Sequence, residues 1–211
     1  MVGDLIAEIG SFLEEKDRVR ERAIRSAREI VRKARDAVGR VHRKDVEGAR
    51  VVVEEISKLV EEVREVRERY PDLYYSGFVQ DALAEYYEAL VLCEYAQTGD
   101  VRGVRPPPEE YVPFLLGLAD AVGELRRESL SALIEGDLDR ARRLLEFMES
   151  VLWELSKLTF PDALTPGLRR KVDVIRRVVE ATRNDLFYAS KTREVLEELE
   201  KLREGRRGRS G

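Results

Sequence analysis

From Leu5 to Val41 apolar residues return every three or four positions, through Ile9, Phe12, Val19, Ala23, Ala27, Ile30, Ala34 and Val38. A run of that length at the helical period dictates one long amphipathic helix, with Gly39 as the place where it could bend. Nothing elsewhere in the sequence alternates with the period of two that marks a half-buried strand. The expected fold is therefore all-α: a single bundle of about six or seven helices, too long for a simple four-helix design.

Punctuation residues divide the remainder. A second helix is expected from about Asp45 to Tyr70, ended by Pro71. A third follows from Asp72 to about Ala96. Thr98, Gly99 and Asp100 make a turn, and Pro106 to Pro108 form a rigid connector. A fourth helix runs from about Pro108 to Glu135 and is stopped by Gly136, while Asp137 is placed to cap a fifth that carries Leu144, Met148, Val151 and Leu155. Pro161 marks another break. Thr165 as N-cap and Pro166 in the first turn predict a last helical region to about Leu202, in one piece or in two that meet near Asn184. No sharp change in composition and no fixed-period repeat divides the chain, so residues 1–204 read as one domain and 205–211 as a basic, flexible tail.

Composition narrows the chemistry. With 43% hydrophobic residues in a chain of 211, a real core is possible, and 38% charged residues suit long solvated helices. One cysteine, Cys93 in the apolar run ALVLCEY, forms no intrachain disulfide; it reads as a core residue and suits a reducing cytoplasm. One histidine, His42, removes zinc sites built on several His or Cys and restricts any Ser-His-Asp triad to its own surroundings. No signal peptide and no apolar run of bilayer length are found, so secretion and membrane insertion are not expected.

The net charge of −4 predicts no overall attraction to nucleic acid, but the charge is unevenly spread. Between Lys16 and Lys44 stand 12 Lys or Arg against 4 acids, a local excess of eight positive charges. Arg18, Arg22, Arg25, Arg28, Arg32 and Arg35 follow at steps of three and four and so form one stripe. Such a stripe is either a solvated helix face or a phosphate-binding surface, and its single sign in an acidic protein speaks for the second. His42, just after it, reads as a helix-terminal residue or a further phosphate contact.

Two segments place carboxylates inside otherwise apolar helices: AEYYEA (Ala84 to Ala89) and LGLADAVGEL (Leu116 to Leu125). Glu85 and Glu88 are three apart, Asp120 and Glu124 four apart, so each pair shares one helix face. Two such pairs on adjacent helices would offer four oxygen donors, the ligand type that Mg²⁺ or Mn²⁺ prefers. An ion held there would suit phosphodiester hydrolysis without His or Cys. Spacing alone equally allows solvent-facing acids or ion pairs with Arg126 and Arg127. A di-iron carboxylate centre, which normally adds Glu-x-x-His elements, is a poor match for a chain with one histidine. Tyr74, Tyr75, Tyr86 and Tyr87 are read as core residues or base-stacking platforms, and Trp153 as a packing residue within the chain or at a subunit contact.

These segments carry a family resemblance. AEYYEA resembles the Gln-Glu-Tyr-Val-Glu-Ala segment of the translin-associated factor X branch of the translin family, and LGLADAVGEL its Leu-Gly-Val-Ala-Asp-Leu-Thr-Gly-Glu-Leu segment. LIEGDLDRARRLLEFMESVLWEL and RRKVDVIRRVVEATRNDLFYAS are similar to the family's last helices, and REIVRKARDAVGRVH to the N-terminal helix of translin. The resemblance implies an α-helical subunit assembled into a closed, hollow homo-oligomer, a hexamer or octamer, that binds single-stranded RNA or DNA. In the factor X branch the acids serve Mg²⁺-dependent endoribonuclease cleavage; translin subunits lack the complete set and bind without cutting. Carried over residue by residue, the catalytic and metal-binding positions are Glu85, Glu88, Asp120 and Glu124, all present here. Ala84 and Tyr87 depart from the branch, which has Gln and Val there.

Overall fold

The computed structural model describes residues 1–207, with side chains through Glu204. Among the described residues the chain forms α1 (Val2–His42), α2 (Val46–Arg69), the single turn α3 (Pro71–Tyr74), α4 (Gly77–Thr98), a 3₁₀ turn (Pro108–Glu110), α5 (Tyr111–Glu135), α6 (Leu138–Ser156) and α7 (Leu168–Arg207), with no strand. The all-α expectation holds. The contacts divide the chain into two compact units, Met1–Ala121 and Val122–Gly211, with the boundary inside α5 rather than in a linker.

The first helix is 41 residues long and passes Gly39 without a break. Ala23, Ala27, Ile30, Ala34, Ala37 and Val41 form its buried stripe. Alanine at most of these positions lets neighbouring helices approach closely. Lys44 takes a positive φ of 64° and Asp45 caps α2 through the amide of Gly48 at 3.0 Å, reversing the chain. Helices α1 and α2 then run antiparallel, as shown by Lys33 to Glu55 (2.5 Å), Ser26 to Glu62 (3.4 Å) and Arg69 to Glu15 (2.8 Å).

The expected third helix is in fact two. Pro71 opens α3, but Ser76 is extended (φ −68°, ψ 148°) and its hydroxyl donates to the carbonyl of Leu73, so the chain resets before α4. Val79, Leu83, Val91 and Leu92 of α4 are fully buried. Gly99, in the left-handed region at φ 74°, ends it.

The start of α5 depends on a carboxylate in the core. Glu110 is wholly buried. Arg64 of α2 donates to both its oxygens at 2.7 Å, and the hydroxyls of Tyr74 and Tyr87 add bonds of 2.9 and 2.5 Å. Burial pushes the Glu110 pKa up, but the hydrogen bonds from Arg64, Tyr87 and Tyr74 outweigh it and hold the carboxyl below its usual range. Both tyrosine pKa values are raised, first by burial and then by the charge of the Glu110 carboxylate and the hydrogen bond to it. One residue group thus ties α2, α3 and α4 to the first turn of α5. Seven residues on, Gly117 sets α5 against α4: a Cβ there would stand 2.4 Å from the carbonyl oxygen of Ala84, 2.7 Å from the amide of Glu88 and 2.9 Å from the Cβ of Tyr87.

In the second unit Asp137 caps α6 through the amide of Arg140 at 2.9 Å, as expected. Arg140 also reaches the buried Glu128. Leu144, Met148, Val151 and Leu155 meet Leu168, Val172, Ile175 and Val179 across an α6–α7 hairpin, closed by Arg183 to Glu149 at 2.7 Å.

Two expectations about the last helix are corrected. Thr165 and Pro166 do not start it; they lie in a turn, because Gly167 adopts φ 79°, outside the helical region, and α7 begins after it at Leu168. Nor does it divide near Asn184, since no Gly or Pro interrupts residues 168–204 and Leu186 continues the buried stripe. It runs past Leu202 to Arg207, so the expected tail begins as helix, and residues 208–211 lie outside the described residues. No described helix is long and apolar enough to cross a membrane.

Two consequences can be measured by chemical denaturation. Arg64→Met leaves the Glu110 charge buried without its counter-charge and should lower stability by about 3–5 kcal/mol. Because the folded pKa of Glu110 is depressed, its contribution is present above about pH 4.3 and lost as the pH falls through the folded value. Glu110→Gln should therefore flatten the acid side of the stability profile. Gly117→Ala forces α5 away from backbone atoms of α4 and should cost about 1–3 kcal/mol.

Candidate nucleic-acid and metal site

The first acidic pair stands on α4 and the second on α5. Glu85, Glu88, Asp120 and Glu124 are all half-buried. Gly117 sets α5 close against the stretch of α4 that carries the first pair. Its close approach falls between Ala84 and Glu88 on α4, and Asp120 stands one turn beyond it on α5. Glu124 follows Asp120 one further turn along the same helix, past the boundary between the units.

Both departures from the factor X segment fall at this contact. The carbonyl of Ala84 faces Gly117, and Tyr87 supplies a hydroxyl to Glu110. Tyr87 thus couples the buried anchor to the residue next to Glu88.

The side chains are not drawn into a ready-made cage. Among the described residues no three Asp, Glu, His or Cys side chains stand together as a metal-binding group. Glu85 turns instead to the guanidinium of Arg35, 4.0 Å away. A guanidinium beside a carboxylate favours its charged form. The donor set nevertheless fits a hard divalent ion, being all oxygen and only partly desolvated.

The basic stripe is a surface feature throughout. Arg18, Arg22, Arg25, Arg28, Arg32 and Arg35 are all exposed. Arg32 bonds Glu29 of its own helix at 2.5 Å, and that bond, with the charges of Arg32 and Lys33, lowers the Glu29 pKa against the opposing effect of burial. Among the described residues Arg18, Arg22, Arg25 and Arg28 make no ion pair. The row winds around α1. Arg18, Arg22 and Arg25 share one shallow depression, whereas Arg28 and Arg35 border α4.

The aromatic candidates separate cleanly. Tyr74, Tyr86 and Tyr87 are buried, Tyr75 is 54% exposed, and Trp153 at 67% exposure is no part of its own chain's core, with Lys157 5.5 Å from its ring centre. His42 ends α1. Cys93 is buried and burial raises its thiol pKa, as suits a core residue. Glu110 is the functional-looking acid that sequence reasoning passes over. It sits in a proline-rich connector, and its partner Arg64 is 46 positions away, so no local pattern marks it.

Comparison with known proteins agrees with the helical architecture. A family model described as the translin family matches residues 18–193. An uncharacterized protein of Methanocaldococcus jannaschii is 26% identical over 199 residues, covering 92% of this chain and 87% of its own. The solved structures of AfC3PO, alone and in complex with duplex RNA, superpose with a TM-score of 0.83 at 36% identity, covering 89% of this chain and 98% and 97% of theirs. Apo-NeC3PO, at 21% identity and a TM-score of 0.76, covers 87% of this chain and 96% of its own and shares the fold. With the family model spanning most of the sequence, from the basic stripe through both acidic pairs and into the last helix, the chain belongs to the translin family.

Proposed function

We propose that the chain is a subunit of a divalent-metal-dependent endoribonuclease acting on single-stranded RNA. One observation carries this reading: the acids of α4 and α5 flank the close helix contact at Gly117, and the exposed arginine row on α1 reaches the same place through Arg35 and Glu85. Glu85, Glu88, Asp120 and Glu124 would hold Mg²⁺, or Mn²⁺, and one of them would orient the attacking water. When bound, the ion supplies charge neutralisation at the phosphoryl group and a more acidic water. Arg18 to Arg35 attract and align the phosphate backbone. RNA as the partner is supported by AfC3PO, which has been captured with duplex RNA; DNA is a second possible strand for the same surface.

Assembly into a closed homo-oligomer, a hexamer or octamer, belongs to the same proposal. Apolar side chains left exposed at Leu5, Ile6, Ile9 and Leu13 on α1, at Trp153, and at Leu196, Leu199 and Leu202 on α7 support subunit contacts. The residue chemistry suits a cytoplasmic enzyme, given the single buried thiol.

A second reading, a translin-like scaffold that binds single strands without cutting, is favoured by the exposed arginine row, which needs none of the acids to hold a phosphate backbone. Purified protein with end-labelled single-stranded RNA separates the two. Glu88→Gln should lower Mg²⁺-dependent cleavage by roughly two orders of magnitude or more while RNA affinity and subunit number stay unchanged. Undiminished cleavage by that variant, or full activity in EDTA, would remove the metal assignment; binding without cleavage by the wild type in either Mg²⁺ or Mn²⁺ would leave the scaffold. For the stripe, replacing Arg18, Arg22 and Arg25 together by Ala should reduce the slope of log affinity against log salt by about 2, equally for all RNA sequences.

A further inference from the structure

Helices α1 and α4 lie side by side and run parallel. Arg28 borders the same groove as Phe78, and seven residues further along each helix Arg35 meets Glu85. Seven residues are two turns, so both walls advance together by about 10.5 Å. The groove at the Arg28 end is apolar: Ile24, Ala27 and Val31 of α1 and Phe78 of α4 surround a volume of about 420 Å³. Phe78 is half-buried, with its ring at the edge of the core rather than in it. An apolar recess carrying an aromatic ring, rimmed by an exposed arginine, has the composition of a base-stacking site on a single-strand track.

We infer that the Phe78 groove is a nucleobase subsite, which stacks one unpaired base between Phe78 and the aliphatic wall of α1 while Arg28 holds its phosphate. The strand then passes along the groove to Arg35, and the phosphate to be cut arrives at Glu85 and Glu88. The charge of the surrounding surface selects this occupant over a second copy of the chain. The groove is rimmed by Arg28, and Arg35 stands two turns further along the same side of α1; these exposed arginines would repel their own kind and attract a polyanion. Stacking requires a base free of its pair, so the subsite would make the enzyme prefer single strands or frayed ends to the interior of a duplex. This rests on the RNA-binding reading above and adds to it where the base sits and how cleavage is spaced from it.

Binding measured in EDTA keeps the test independent of cleavage. The probes are a short single-stranded oligoribonucleotide and the same strand with abasic sites. Phe78→Ala should weaken binding of the normal strand by about five- to a hundredfold and leave the abasic strand's affinity unchanged. Phe78→Trp should restore affinity. In a Trp153→Phe background the new indole, then the only tryptophan, should be quenched by the normal strand and not by the abasic one. Unchanged affinity for Phe78→Ala, equal losses for both strands, or a changed subunit number with RNA affinity intact would each overturn the subsite. A wild-type protein that binds no RNA would overturn the binding reading and the subsite with it.

Discussion

A carboxylate in the core of a helical unit is tolerated only where every oxygen is answered, and Glu110 meets that condition with Arg64, Tyr74 and Tyr87. The consequence is geometric as much as energetic. Three donors from three different helices converge on one group at the head of α5, so that helix cannot slide along α4 without breaking hydrogen bonds in a place water does not reach. Gly117 then brings the backbones within a distance no side chain would permit. The position of Asp120 relative to Glu88 follows from these two anchors.

The same unit keeps its basic row and its paired acids on different helices. The buried stripe of α1 is mostly alanine, which draws α2 and α4 close and leaves the arginines along the opposite face to solvent. Because the stripe winds as the helix turns, its early members border α2 and its late ones α4. Arg35 therefore arrives at the acidic pair without any loop being required to carry it there. A surface that attracts a phosphate backbone and a set of acids that could bind a metal ion are normally at odds. Here they are carried by different helices, and Arg35 of the one stands 4.0 Å from Glu85 of the other.

Much of this was legible in the chain itself. Periodicity marked α1 over nearly its whole length, Asp45 and Asp137 announced their helices as caps, and the two acidic segments stood out because charges interrupt apolar runs. Where local reading failed, a backbone detail had intervened: an extended Ser76 split one helix into two, and Gly167 delayed the start of another. Trp153 read as a packing residue within the chain or at a subunit contact, and its exposure leaves the second alternative.

What the sequence determined by itself was the class of structure and the inventory of its chemistry: helices, an arginine row, paired carboxylates and too few His or Cys for other metals. Those follow from spacing along one helix, which is local. Tertiary structure alone decided that Glu110 is the buried acid while the paired acids are only half-buried, that Tyr87 and Arg64 serve Glu110, and that Phe78 and Glu85 stand in step with Arg28 and Arg35 on neighbouring helices. Such pairings join residues dozens of positions apart, and only the packing of whole helices brings them together.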